Sequence, residues 1–117
     1  MYDEVRSGRI KWATYKLDDH MTMIVPDHAS DGDYDAFLEA LPSGEDRYAV
    51  FNFGEINGRA DTVVFYHWSP DRTLLAKKML YASSRADFRD GLEGVAADIS
   101  ASNVEEASRE AVLARVN

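Results

Sequence analysis

A chain of 117 residues, 45% apolar and 29% charged, has the composition of one globular domain, which excludes a disordered, collagen-like or coiled-coil chain. The net charge of −8 argues against general nucleic-acid binding, and zero cysteines exclude disulfide scaffolds, cysteine zinc sites and thiol nucleophiles. No apolar run approaches the roughly 18 residues of a membrane span, and the first residues lack the apolar core of a secretory signal, so the expectation is a soluble intracellular domain spanning 1–117.

In chain order, Ile10 to Leu17 is rich in β-formers and reads as a strand, with Met21 to Val25 as its hairpin partner across Asp18-Asp19-His20. Pro26 should end the second strand and open a polar loop to Asp33. Tyr34, Phe37, Leu38 and Leu41 then recur at helical spacing until Pro42. Arg47 to Phe53 and Thr62 to Trp68 form a second hairpin around the turn dipeptide Asn57-Gly58. The latter strand is so continuously apolar that both of its faces should be covered.

After Ser69-Pro70-Asp71 a helix begins, with Leu75, Met79 and Ala82 along one face. Ser84 to Asp87 has capping-box spacing and predicts a bend or restart, and Gly91 or Gly94 ends the region. Val95 to Ile99 reads as a short strand. Asn103 to Glu106 repeats the capping pattern and opens a last helix with Val104, Ala107, Ala111 and Val112 on one face. The resulting ββαββα(α)βα order favours a mixed sheet with helices on both faces.

Charge is uneven along the chain. Asp18 to Asp46 holds nine acidic residues and no Lys or Arg, whereas Arg72 to Arg89 holds five basic residues and one acidic one. This basic island could steer the chain toward an acidic partner. Enzyme signatures are missing: there is no phosphate loop, GxGxxG, GxSxG or HExxH. Asp31, Asp33 and Asp35 have calcium-loop spacing, but Ala36 and Pro42 stand where the glycine and bidentate glutamate belong. His20 and His28 read as solvated, and His67, inside an apolar strand, as a satisfied core imidazole.

Three stretches carry a family likeness. They are Leu41-Pro42 with Asp46-Arg47-Tyr48-Ala49, Phe65 to Asp71 (FYHWSPD), and Lys78 to Ser84 (KMLYASS). In this order and spacing they resemble the actin-depolymerising factor/cofilin family. The likeness runs on through Gly94-Val95, Asp98-Ile99 and Val112 to Val116. It implies an α+β fold with a central mixed sheet of about five strands sandwiched by helices, the ADF-homology, gelsolin-like architecture. It further implies a protein that binds actin monomers, prefers ADP-actin, and depolymerises or severs filaments. Such a protein is cytoplasmic and cytoskeleton-associated, with nuclear entry open to it. A monomer is expected because no long exposed apolar stripe is evident in the sequence, and no enzyme, cofactor or metal is expected because no motif signals one.

By the same resemblance, Leu75, Lys77, Lys78, Met79 and Ser83 of the long helix would meet the cleft between actin subdomains 1 and 3. Arg59, Glu106 and Arg115 would form the filament-side contact, and Lys77 and Lys78 would meet phosphoinositides. Departures from the family pattern bear on mechanism. Ala76 replaces a second basic residue, Leu74 a proline, and Ala114 the acidic neighbour of Arg115. An N-terminal arm with a phosphorylatable serine has no counterpart before Tyr2, so the arm is expected to be short or missing. Filament binding should therefore be weaker than monomer binding. The competing expectation is an interaction module of this fold that no longer binds actin.

Overall fold

The computed structural model describes residues 1–116. Its elements are α1 (Tyr2–Arg6), β1 (Trp12–Leu17), β2 (Ile24–Ser30), α2 (Tyr34–Glu39), β3 (Arg47–Asn52), β4 (Val63–Trp68), α3 (Leu75–Asp90), β5 (Val95–Ala101) and α4 (Arg109–Val116). The strands form one mixed sheet in the order β2-β1-β3-β4-β5. All neighbours are antiparallel except β4 and β5, which α3 connects in parallel. Among the described residues, no helix is long and apolar enough to cross a membrane.

Strand periodicity builds two cores. Ala49, Phe51, Val64, Tyr66 and Trp68 face one side of the sheet and pack with Tyr34 and Phe37 of α2 and Val112 of α4. Tyr48, Val50, Val63 and Phe65 face the other and pack with Val5 of α1 and Tyr81 of α3. Successive side chains in a strand point to opposite faces, so a strand buried on both must be apolar throughout. All six residues of β4 are buried, as its composition predicts. The expected α+β sandwich is therefore present, with helices on both faces.

The local departures have physical causes. Pro26 lies inside β2 rather than ending it. β2 is the sheet edge, and the register slips between Thr14 and Tyr15, which pair with His28 and Pro26, leaving Asp27 as the extra residue. An edge strand at a bulge is where a residue without an N–H is tolerated. The expected polar loop from Asp27 thus begins after Ser30. α3 runs 16 residues without the break expected at Ser84 and stops at Gly91. The capping pattern at Asn103 forms its bonds, with Asn103 Oδ1 accepting the Glu106 amide at 2.9 Å, yet it closes a turn, and the helix waits until Arg109. Ala107 and Val112 are buried as expected, whereas Val104 and Ala111 are exposed. Asp33 caps α2 by accepting the Ala36 amide at 3.0 Å.

Candidate functional site

α3 has one fully buried side chain, Tyr81, and this residue sets the helix orientation. The Tyr81 hydroxyl accepts the Leu17 amide at 2.8 Å and donates to Glu45 Oε2 at 3.0 Å. Its carbonyl accepts the Tyr48 hydroxyl. With Tyr81 turned inward, the row one turn apart at Leu75, Met79 and Ser83 faces outward. Leu75 is 72% exposed and Met79 63%, and Leu74, just ahead of the helix, is 69% exposed. The periodic face read from Leu75, Met79 and Ala82 is thus a solvent-facing apolar row, and Ala82 lies in the open rather than in the packing. The Ser83 hydroxyl donates to the Leu80 carbonyl at 3.1 Å.

The basic residues of α3 are held against the body. Lys77 Nζ donates to Glu45 Oε1 at 2.7 Å. Lys78 Nζ donates to Ser69 Oγ at 2.6 Å and to the Pro70 carbonyl at 3.0 Å, with Asp46 Oδ1 4.0 Å away. Arg85 donates to Ser100 Oγ at 2.8 Å and sits over the Phe65 ring, and Arg89 pairs with Asp98 at 2.9 Å. The basic island of the sequence is largely matched internally, so the outward surface of the helix is more apolar than cationic. Pairs this close to water add little stability; they orient the lysine stems and leave the apolar row clear.

Beneath the start of α3 lies a polar anchor that sequence reasoning did not single out as a unit. Asp46 is fully buried and its Oδ2 lies 2.8 Å from His67 Nε2, which makes His67 the satisfied core imidazole expected of it. Burial is the largest single influence and works against the Asp46 charge, but the hydrogen bond to His67 and the hydroxyls of Thr73 and Ser69 beside it together outweigh it and hold the carboxyl below its ordinary value. Glu45 is likewise lowered: desolvation is outweighed by hydrogen bonds from Lys77 and Tyr81 and by the Arg47 charge. Arg47 bridges Glu45 at 2.7 Å and Asp27 of the edge strand at 3.1 Å. The one sequence signal for this anchor is the pair Asp46-Arg47 immediately before an apolar strand.

The three residues expected on the filament side do not come together. Arg59 is exposed in the loop before β4, beside Val116 at the end of α4, and Arg115 is exposed on that last turn. Glu106 follows the far end of β5, near Ser69 and Ser102. It accepts both the amide and the hydroxyl of Ser102 at 2.7 Å, which lowers its carboxyl below the usual range. Arg59 and Glu106 are separated by the length of a strand, about 20 Å.

Comparison with known proteins agrees with the fold. Residues 1–117 match the family described as cofilin/tropomyosin-type actin-binding protein. The chain is 38% identical over 122 residues to a cofilin of Ogataea parapolymorpha, covering 99% of this chain and 85% of that protein. Against a cofilin of Saccharomyces cerevisiae the identity is 37%, with the same coverage. Among solved structures, a cofilin of Streptomyces griseoflavus superposes with a TM-score of 0.89 at 34% identity, covering 97% of this chain and 87% of that one.

Proposed function

Since the chain belongs to the cofilin/actin-depolymerising factor family, we propose that it binds actin without catalysis, seating the first turns of α3 in the cleft between actin subdomains 1 and 3. The observation that carries this reading is the outward row of Leu75 and Met79, adjoined by Leu74, on a helix whose lysines are engaged by the body of the domain. A Leu and a Met moved from water into an apolar cleft contribute about 1.5–3 kcal/mol each when fully buried. Lys77 and Lys78 act as rim contacts, and Ser83 continues the row.

Under this reading the protein works with the actin cytoskeleton in the cytoplasm and prefers ADP-actin monomers. Arg59 and Arg115 form a reduced filament surface to which Glu106 does not belong. Monomer withdrawal then outweighs severing, because severing needs both surfaces at once. Phosphoinositide regulation through Lys77 and Lys78 is the weaker reading, since both ammonium groups already have partners.

The test is co-sedimentation with filamentous actin together with a monomer-binding titration. The expected outcome is a rise of actin in the supernatant with the protein remaining there. Replacing Leu75 and Met79 together by Ala should weaken monomer binding about 10- to 100-fold while leaving the melting temperature unchanged, because neither side chain is buried. An unchanged affinity would refute this seating of α3, and no binding by the unsubstituted chain would instead identify an interaction module that has lost actin binding.

A further inference from the structure

β1 and β4 run toward the same end of the sheet, and β5 runs parallel to β4. That end therefore gathers the turn after β1, the start of α3 and the turn after β5. Among the described residues, the large apolar side chains left exposed are Met21, Met23, Leu74, Leu75, Met79 and Val104. All six lie at this one end. Leu74, Leu75 and Met79 are the row already assigned to actin. Met21 and Met23 sit in the turn between β1 and β2, and no role has been given to them so far.

That turn is built rather than loose. The Asp18 carboxylate accepts the Thr22 amide at 2.8 Å and the Thr22 hydroxyl at 2.7 Å. The Asp18 amide donates to the Met23 carbonyl at 2.9 Å, and the Met21 amide to the Asp18 carbonyl at 3.0 Å. The two Thr22 bonds hold the Asp18 carboxyl below its ordinary value. Met21 has φ 57°, the left-handed region that turns normally fill with Gly or Asn. A methionine there is strained, and its neighbour Met23 is 59% exposed. Neither feature helps the isolated fold. Both are accounted for if a partner covers the turn, since strain kept in an over-determined loop tends to mark function. Methionine, unbranched and polarizable, suits an irregular apolar contact.

The turn is also tied to α3. Leu17, the last residue before it, gives its amide to the Tyr81 hydroxyl at 2.8 Å, so the base of the turn is hydrogen-bonded to the helix. We propose that Met21 and Met23 form a second apolar contact with the same actin monomer that α3 engages. The proposal rests on the actin-binding reading above and extends that surface across β1. A turn already locked by Asp18 loses little conformational freedom on docking, so its contacts are expressed as affinity.

The experiment measures monomer affinity for the full chain, the M21A/M23A variant and the L75A/M79A variant. Alanine keeps the backbone preferences at position 21 while removing the thioether stems. M21A/M23A should weaken binding about 5- to 30-fold with an unchanged melting temperature. D18A, which keeps both methionines but frees the turn, should weaken it by a smaller factor. As an independent readout, the Met21 and Met23 methyl resonances of methyl-labelled protein should shift or broaden with that of Met79 when unlabelled actin monomer is added.

If L75A/M79A loses affinity while M21A/M23A matches wild type, and only the Met79 methyl responds, the second contact is refuted and the helix reading stands. If the wild-type chain binds no actin, both readings fall. Self-association that M21A/M23A abolishes, with actin affinity unchanged, would make a second copy of this chain the occupant and overturn the proposal.

Discussion

Tyr81→Phe isolates the bond that fixes how α3 is presented. The β1–β3 ladder ends at Tyr15 and Tyr48, and beyond it the buried Leu17 amide is met by the Tyr81 hydroxyl at 2.8 Å. Phenylalanine keeps the ring, its edge-on contact with Tyr48 at 5.5 Å and the volume of the core. What disappears is the acceptor for Leu17 and one donor to Glu45, which retains Lys77 and Arg47. An unsatisfied buried amide costs about 1–3 kcal/mol. For a domain of this length each kcal/mol lowers the melting temperature by about 4 °C, so a drop of about 4–12 °C is expected. Tyr81→Ala also opens a cavity and should cost about 3–5 kcal/mol. Melts followed by circular dichroism give the total, and hydrogen exchange at the Leu17 amide localises it. A Tyr81→Phe melt within 1 °C of wild type, with Leu17 exchange unchanged, would refute the claim that this hydroxyl anchors the helix to the β1–β2 hairpin.

Two further predictions concern pH. Burial raises all six tyrosines, with Tyr15, Tyr34 and Tyr81 pushed to about 12. A phenol whose folded pKa exceeds its unfolded one stabilises the fold below the unfolded value, and that stability fades as pH rises through the folded one. The folded chain at pH 10 should therefore show far less tyrosinate absorbance than the urea-unfolded chain, and equal absorbance would contradict the burial. At the acid end, Asp46 and Glu45 are lowered below 3.8 and 4.5, so their stabilisation is present above those values and is lost as pH falls through the folded pKa. Asp46→Asn should be less stable than wild type at pH 7 but lose stability less steeply below about pH 4. Parallel acid profiles for the two proteins would exclude Asp46 as a source of the acid sensitivity.

Much of the fold is legible in the chain because local rules and tertiary demands agree. An unbroken apolar run at Val63–Trp68 can only be a doubly covered strand. Alternation at Arg47–Asn52 supplies one residue to each core in turn. The motifs around Trp68 and Lys78 name the family before any geometry is known. Where local rules misled, a tertiary partner decided. Pro26 stays in β2 because the missing N–H falls at a bulge of the edge strand. The capping pattern at Ser84 is overruled by a helix already packed through Tyr81 and Phe88.

For the candidate site, the sequence determined which residue types line α3 and that their charges are mostly basic. Which side of the helix meets water is not a property of the helix alone. Leu75 and Met79 have the spacing of a core face, and only the inward placement of Tyr81 turns that face outward. The lysines lie in a basic stretch of sequence, yet they are matched by Ser69, 9 positions away, and by Glu45 and Asp46, which come alongside only when β3 and β4 are paired. Met21 and Met23 likewise look like strand residues until the hairpin closes beyond them and leaves them at the end that carries the helix row. Periodicity and motif are written in the chain; the direction a face points and the pairing of its charges arise from contacts between distant segments, which a linear pattern does not encode.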